Sequence, residues 1–384
     1  MFSFITKNEN HKNNKVLILG SANGSGNLGD EAMFEAIALY YYKNYKDVSI
    51  VTDASSDDYV SPYSNVTKIF GMYGNVGVKI LFRIFEIFCL LVLPKLYIYI
   101  LRNIIKNNSE LYSYYQELIT CDYLVISGAG AINSQFKGYG IYGWGSIVLL
   151  AKTLNKNVYV TGQGIGPFYS KFDKWFALYY LSMAEIVKCR DKKSFELIKH
   201  KVPNSFYDLD DATYVENLSP SEFSIIMKKN ILKKNFVVVS IHDWYKIDKK
   251  SFLDEINDII LKFRSKDLQI VLLGNKIKGK MNDIPFLTMF KNTYFKEDDN
   301  VILLTPPYNS IISKSVISYS KCLLTTRYHP AIFAFENKIP TVGIYYDDYY
   351  KQKFEGAFMF RNDNDCSIIS YSDLSLINNC IYEY

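Results

Sequence analysis

An arginine and a histidine two positions apart, Arg327 and His329 in Thr325-Thr326-Arg327-Tyr328-His329-Pro330, are the residues best suited to holding a small anion. A guanidinium can grip a phosphate or carboxylate through two parallel N–H donors. A second arginine, Arg190 in Cys189-Arg190-Asp191-Lys192-Lys193-Ser194, offers the same grip, although a surface ion pair is the plainer reading. Asn27 and Asp30, in Asn27-Leu28-Gly29-Asp30-Glu31, supply an amide and a carboxylate suited to sugar hydroxyls. Asp30 and Asp191 also fit as simple helix caps. His242, before Asp243-Trp244, is a lone histidine and fits a structural role first. His200 sits between lysines and is expected in solvent, and His11 lies in a polar tail.

The elements that must position these residues are legible as runs. Lys321 to Leu324 ends a buried strand, Ala331 to Phe335 is helix-compatible, and Ile339 to Ile344 forms the next strand. Arg327 and His329 therefore fall at the carboxyl end of a strand beside a helix N-terminus, where open α/β sheets bind ligands and unpaired N–H groups attract anions. Arg190 ends another strand, Ile186 to Cys189. Three glycine loops close further strands: Gly20 to Gly29, Gly128-Ala129-Gly130 and Gly162-Gln163-Gly164-Ile165-Gly166-Pro167. Glycine there lets backbone and ligand approach closely, and tight βα turns use it in any case. The first loop can be fitted to G-x-G-x-x-G, but the match sits late, and Asp53 after the second strand is a weak ribose partner. Dinucleotide binding is not expected.

With 384 residues the chain exceeds one ordinary core. Repeated strand–loop–helix units indicate parallel sheets, and the pattern breaks near Glu216-Asn217-Leu218-Ser219-Pro220. The expectation is α/β, with two Rossmann-like domains over 1–217 and 218–384 and a ligand cleft between them. Net charge is only +5, with lysines scattered among acids, so no nucleic-acid partner is expected. The six cysteines lie far apart without a CxxC pair, which argues against a metal site or a disulfide framework and fits a reducing cytoplasm. The polar N-terminus lacks a signal-peptide core. An apolar insert, 78–105, is broken by Arg83, Glu86, Pro94, Lys95 and Arg102 and offers no clean span of about 20 apolar residues. It reads as a buried helix pair or as a segment lying in a membrane surface, with Arg83, Lys95, Arg102 and Lys106 near headgroups.

With these landmarks in order, the chain resembles the polysaccharide pyruvyl transferases over roughly residues 15 to 355. The resemblance rests on Asn27 to Ala32, Gly128-Ala129-Gly130, Gly162 to Pro167, Arg190 to Ser194 and Arg327-Tyr328-His329. Ala129 and Ala131 stand where the family is usually richer in glycine, and the long apolar insert is less typical. The resemblance implies a GT-B-like fold. It also implies pyruvyl transfer from phosphoenolpyruvate, a co-substrate with no further cofactor or metal, to two hydroxyls of a sugar, forming a cyclic ketal. Carried over, Arg190, Arg327 and His329 hold the donor, and His329 and Asp30 are the catalytic candidates. Asn27, Asp30, Gly130 and Gln163 are expected at the acceptor. If the insert docks on a membrane, the acceptor is expected to be polyprenyl-diphosphate-linked and the protein peripheral on the inner face of the cell membrane. The competing readings are a GT-B-type glycosyltransferase using a nucleotide sugar and a non-catalytic glycan- or membrane-binding assembly protein.

Overall fold

The computed structural model describes residues 2, 15–45, 47–54, 66–70, 76–103, 110–243, 247–279, 281–361 and 365–379. His11, Lys106, Trp244, Cys380 and the end of the apolar insert at 104–105 lie outside them. The chain divides into two compact units, residues 1–25 with 33–214 and residues 26–32 with 215–384. The short segment Gly26–Ala32, which a linear reading keeps with the first domain, packs with the second unit.

The first unit is built on seven parallel strands: β1 (Lys15–Asn23), β2 (Ser49–Ala54), β3 (Val66–Phe70), β4 (Tyr123–Ile126), β5 (Asn157–Gln163), β6 (Ile186–Cys189) and β7 (Ser205–Tyr207). Their order is β3-β2-β1-β4-β5-β6-β7. The second unit has six: β8 (Phe236–Ser240), β9 (Gln269–Leu272), β10 (Val301–Leu303), β11 (Leu323–Thr325), β12 (Thr341–Tyr345) and β13 (Cys366–Ser370). They run β10-β9-β8-β11-β12-β13. Each sheet steps outward from its first strand and then reverses, between β1 and β4 in one unit and between β8 and β11 in the other. That reversal is the doubly wound switch point, where the loops at the strands' carboxyl ends part to leave a crevice.

Central strands such as β4 and β8 are buried along their whole length. Parallel strands covered on both faces need continuous apolar runs, and that is why they stood out in the sequence. The edge strands β7 and β13 are only half-buried and went unrecognised, as did β3. The break near 216–220 proves to be a helix start. Ser219 and Glu222 form a reciprocal capping box ahead of Pro220–Lys229, with Pro220 in the first turn.

The apolar insert is two helices, Val76–Val92 and Pro94–Asn103, divided at Pro94. The first packs on the helix Tyr142–Thr153, whose residues Tyr142 to Ala151 are all buried. A helix buried on every side needs a second layer above it, and the insert supplies that layer. Only the inner side of the pair is covered, so the expectation of a wholly buried pair does not hold.

Candidate functional site

In the second unit β8 and β11 are neighbours at the switch point, in register at Ser240↔Thr325. The loop after β11 carries Arg327 and the loop after β8 carries His242. Arg327 is turned by its own backbone: its N–H donates to Thr325 Oγ1 at 2.9 Å, and the Thr325 hydroxyl bonds to the Ser240 carbonyl at 3.0 Å. Its guanidinium forks onto buried Asp283, Nε donating to Oδ2 at 3.2 Å and Nη2 to Oδ1. Oδ2 also accepts the backbone N–H groups of Asn275 and Lys276, at 3.0 and 2.9 Å. Asp283 thus fixes the arginine's direction and satisfies a loop at the same time. Arg327, Asp283 and His242 line one cavity of about 350 Å³.

His242 is buried. Its Nδ1 lies 2.6 Å from Thr326 Oγ1 and its Nε2 lies 3.4 Å from the Tyr350 hydroxyl, with the direction of each contact following the ring tautomer. Burial, helped by the charges of Arg327 and Lys353, pulls its pKa well below the ordinary histidine value, so the ring is neutral near pH 7.

Segment 26–32 brings the acidic side of the site. The helix begins at Leu28, and Glu31 N–H donates to the Asn27 carbonyl at 3.0 Å. Asp30 therefore lies inside the first turn and is not the cap. Backbone bonds strap the segment to the loop before Asp283: Leu28 N–H to the Asn275 carbonyl at 3.0 Å, and Ile277 N–H to the Gly26 carbonyl at 2.8 Å. Asn27 Nδ2 donates to Asp30 Oδ2 at 2.6 Å, and Asp30 Oδ1 stands 4.0 Å from Nε2 of His329. A Cβ on Gly29 would overlap the His329 ring, so glycine here is what admits the imidazole. Burial lowers the pKa of nearby Lys276, while Asp30 and Glu31 oppose the shift. Four of the expected residues, Asn27, Asp30, Arg327 and His329, are thus brought to one edge of the second unit. A carboxylate and an imidazole at this spacing can pass a proton through a small intervening group.

The remaining expected residues lie in the first unit. Arg190 follows β6 and is buried, with Nη1 donating to Asp210 Oδ2 at 3.4 Å. Its guanidinium lies against Gly130 and Gly164, where added Cβ atoms would come to 2.9 and 3.0 Å from it. The two glycine loops therefore make room for an arginine. Asp191 caps the helix Lys192–Ile198 through the Ser194 N–H at 2.7 Å. Gln163, expected at the acceptor, is fully buried, its Nε2 donating to the Ser127 and Thr161 carbonyls at 2.5 and 3.1 Å. Asp53, weighed as a ribose partner, is also buried and accepts the Gly20 N–H at 3.1 Å.

Sequence reasoning passed over Asp210 and Asp283, the carboxylates that aim the two arginines, and Tyr350 beside His242. Asp208-Leu209-Asp210-Asp211, an acidic cluster just past β7, was a visible signal. Asp283 had none. Among the described residues no group of three His, Cys, Asp or Glu side chains is placed to hold a metal ion.

Solved structures share this architecture at low identity. A UDP-GlcNAc 2-epimerase from Methanocaldococcus jannaschii matches with a TM-score of 0.57 and 12% identity, covering 96% of this chain and 93% of that one. S. aureus MnaA, solved with UDP, matches with 0.59 and 11%, covering 95% and 87%. Anabaena HepE, solved with UDP-glucose, matches with 0.54 and 12%, covering 96% and 90%. These likenesses carry the fold alone: two Rossmann-like units of the GT-B-like class. No curated protein sequence matches the chain. A family model for polysaccharide pyruvyl transferase matches residues 27–348, a span that holds Asn27 to Ala32, both later glycine loops, Arg190 to Ser194 and Arg327 to His329, and on that match the chain belongs to the polysaccharide pyruvyl transferase family.

Proposed function

We propose that the chain transfers a pyruvyl group from phosphoenolpyruvate to two hydroxyls of one sugar, in a surface polysaccharide of bacterial type or its lipid-linked precursor. The product is a cyclic ketal and the leaving group is phosphate. The observation that carries this reading is the cluster of Asn27, Asp30 and His329 beside Arg327, in a chain of this family. Phosphoenolpyruvate carries a phosphate and a carboxylate, and Arg327, already aimed by Asp283, suits either group.

A proton delivered to the methylene carbon makes the central carbon electrophilic, and a sugar hydroxyl adds to it. Departure of phosphate and attack by the second hydroxyl close the ring. Two hydroxyl protons leave the sugar, one ending on the new methyl group and one on phosphate. Asp30 is the base for an acceptor hydroxyl, held by Asn27. His329 supplies a proton or steadies the departing phosphate, and Arg327 offsets the charge developing there. Arg190, oriented by Asp210, is a further donor-binding arginine whose contribution its own substitution measures.

Calorimetry of phosphoenolpyruvate with the full chain and with Arg327→Ala and Arg190→Ala tests the assignment. Binding by the wild type that falls at least roughly tenfold in each variant is expected, since each charge-assisted pair is worth about 1.5–3 kcal/mol. Tight binding of UDP with no response to phosphoenolpyruvate, in the presence or absence of a sugar acceptor, would overturn it in favour of a nucleotide-sugar enzyme.

A further inference from the structure

The insert is inverted with respect to the usual surface helix. On Val76–Val92 the inner face carries Arg83, Glu86, Ile87 and Leu90, all buried. The charged pair is inside: Arg83 Nη1 meets Glu86 Oε2 at 2.6 Å, with Ser146 Oγ at 3.5 Å. Leu81, Ile84, Phe85, Phe88, Leu91 and Val92 are exposed, at spacings of three and four residues that place them on one helix face. Leu81 is 73% exposed, Phe85 60% and Phe88 59%, so these rings and chains stand free of the unit's own core. Leu93, Leu96 and Tyr99 carry the patch across Pro94 onto the second helix. Two of the residues that break the apolar run in the sequence, Arg83 and Glu86, are thus folded inward, and what faces outward is an apolar ridge. Leaving a patch of this kind uncovered is unusual for a surface that meets only water.

Charge decides what covers it. Glu86 is the only acid between Val76 and Asn103, and it is buried against Arg83. The described charges exposed on the pair are Lys95 and Arg102, both positive. A second copy of the same face would bring like charges together around an apolar centre. A bilayer with anionic headgroups instead meets the apolar ridge with its acyl boundary and the two cations with its surface. The ridge from Leu81 to Val92 runs for about 16 Å at 1.5 Å per residue. Among the described residues no helix is long and apolar enough to cross a membrane, so the ridge lies along the surface.

We infer that the outer face of the helix pair Val76–Asn103 docks the protein in the plane of an anionic lipid bilayer. Phe85 and Phe88 are the apolar anchors, and Lys95 and Arg102 are the headgroup contacts. The inference does not depend on the reaction proposed above.

Flotation of the full chain with phosphatidylglycerol–phosphatidylcholine vesicles, and with pure phosphatidylcholine vesicles, tests it directly. Wild-type protein should float with the anionic vesicles and much less with the neutral ones. Phe85→Glu with Phe88→Glu should lower flotation more than tenfold. Lys95→Glu with Arg102→Glu should lower it about tenfold on anionic vesicles only. All four side chains are exposed, so unchanged melting temperatures are expected and confirm folding. Trp175→Glu, exposed on the helix Lys171–Ser182 of the same unit, should float like the wild type. Absence of wild-type flotation, equal flotation on both vesicles, or wild-type behaviour of either double variant would overturn the inference. So would a dimer dispersed by Phe85→Glu with Phe88→Glu and no vesicle binding, which would give the face to a second copy.

Discussion

Each of the two arginines arrives with its own carboxylate, Arg327 with Asp283 in the second unit and Arg190 with Asp210 in the first. The pairing directs a long side chain that would otherwise sample many rotamers, and it leaves further N–H donors on the guanidinium for a ligand. Asp283 is the more demanding case, because its carboxylate also satisfies two backbone N–H groups and is only 2% exposed. Replacing it by asparagine removes the charge while keeping the shape. Asp283→Asn should therefore lower stability by about 3 kcal/mol in urea titration, in line with breaking a buried pair. In calorimetry the same variant should weaken phosphoenolpyruvate binding at least tenfold, since Arg327 is no longer aimed. Normal binding with lowered stability would confine Asp283 to a structural role. The arginines themselves were visible in the sequence because they follow strand-like runs. Their partners stand 44 and 20 residues away along the chain, beyond the reach of any local pattern.

At the scale of elements, the first turn of the helix Leu28–Asn44 shows a conflict between local and tertiary demands. Glycine inside a helix costs roughly 1 kcal/mol relative to alanine. Gly29 is nevertheless placed where the ring of His329 occupies the space of a side chain. Gly29→Ala favours the helix but pushes the imidazole from its position 4.0 Å from Asp30. Phosphate release with donor and acceptor present should fall by more than tenfold, with a melting temperature within a few degrees of wild type. Unchanged turnover would remove His329 from the reaction. The Asn27-to-Ala32 motif announced a helix start and a polar cluster, but not that the turn is strapped by backbone bonds to residues 275–277. The same limit applies to the helix Pro220–Lys229. Its capping residues were in plain view, yet Ser219-Pro220 first suggested only a break.

For the whole molecule, stability should carry the mark of buried His242. Its folded pKa is depressed, chiefly by burial, whereas in the unfolded chain it titrates near about 6.5. Below that pH the unfolded chain takes up a proton that the native one refuses, so stability is full above about pH 6.5 and declines as pH falls toward the folded value. Melting temperatures between about pH 5 and 7.5 should show this slope, and His242→Gln should flatten it; an equal slope in both proteins would assign it to other groups. Each unit repeats one sheet order around its own core. The sequence by itself determined the repeated strand–loop–helix units, because apolar runs, glycine turns and caps are written within a few residues of one another, but not the order of the strands or the edge strands β3, β7 and β13. It also determined which side chains follow strands β6 and β11, and hence Arg190, Arg327 and His329 as candidates. Only the tertiary structure decided the carboxylate facing each arginine, the move of Gly26–Ala32 into the second unit, and the outward turn of the insert's apolar face. Those outcomes depend on packing between segments distant in the chain. An apolar run has the same composition whether it covers a core or faces outward, so the sequence alone could not choose between them.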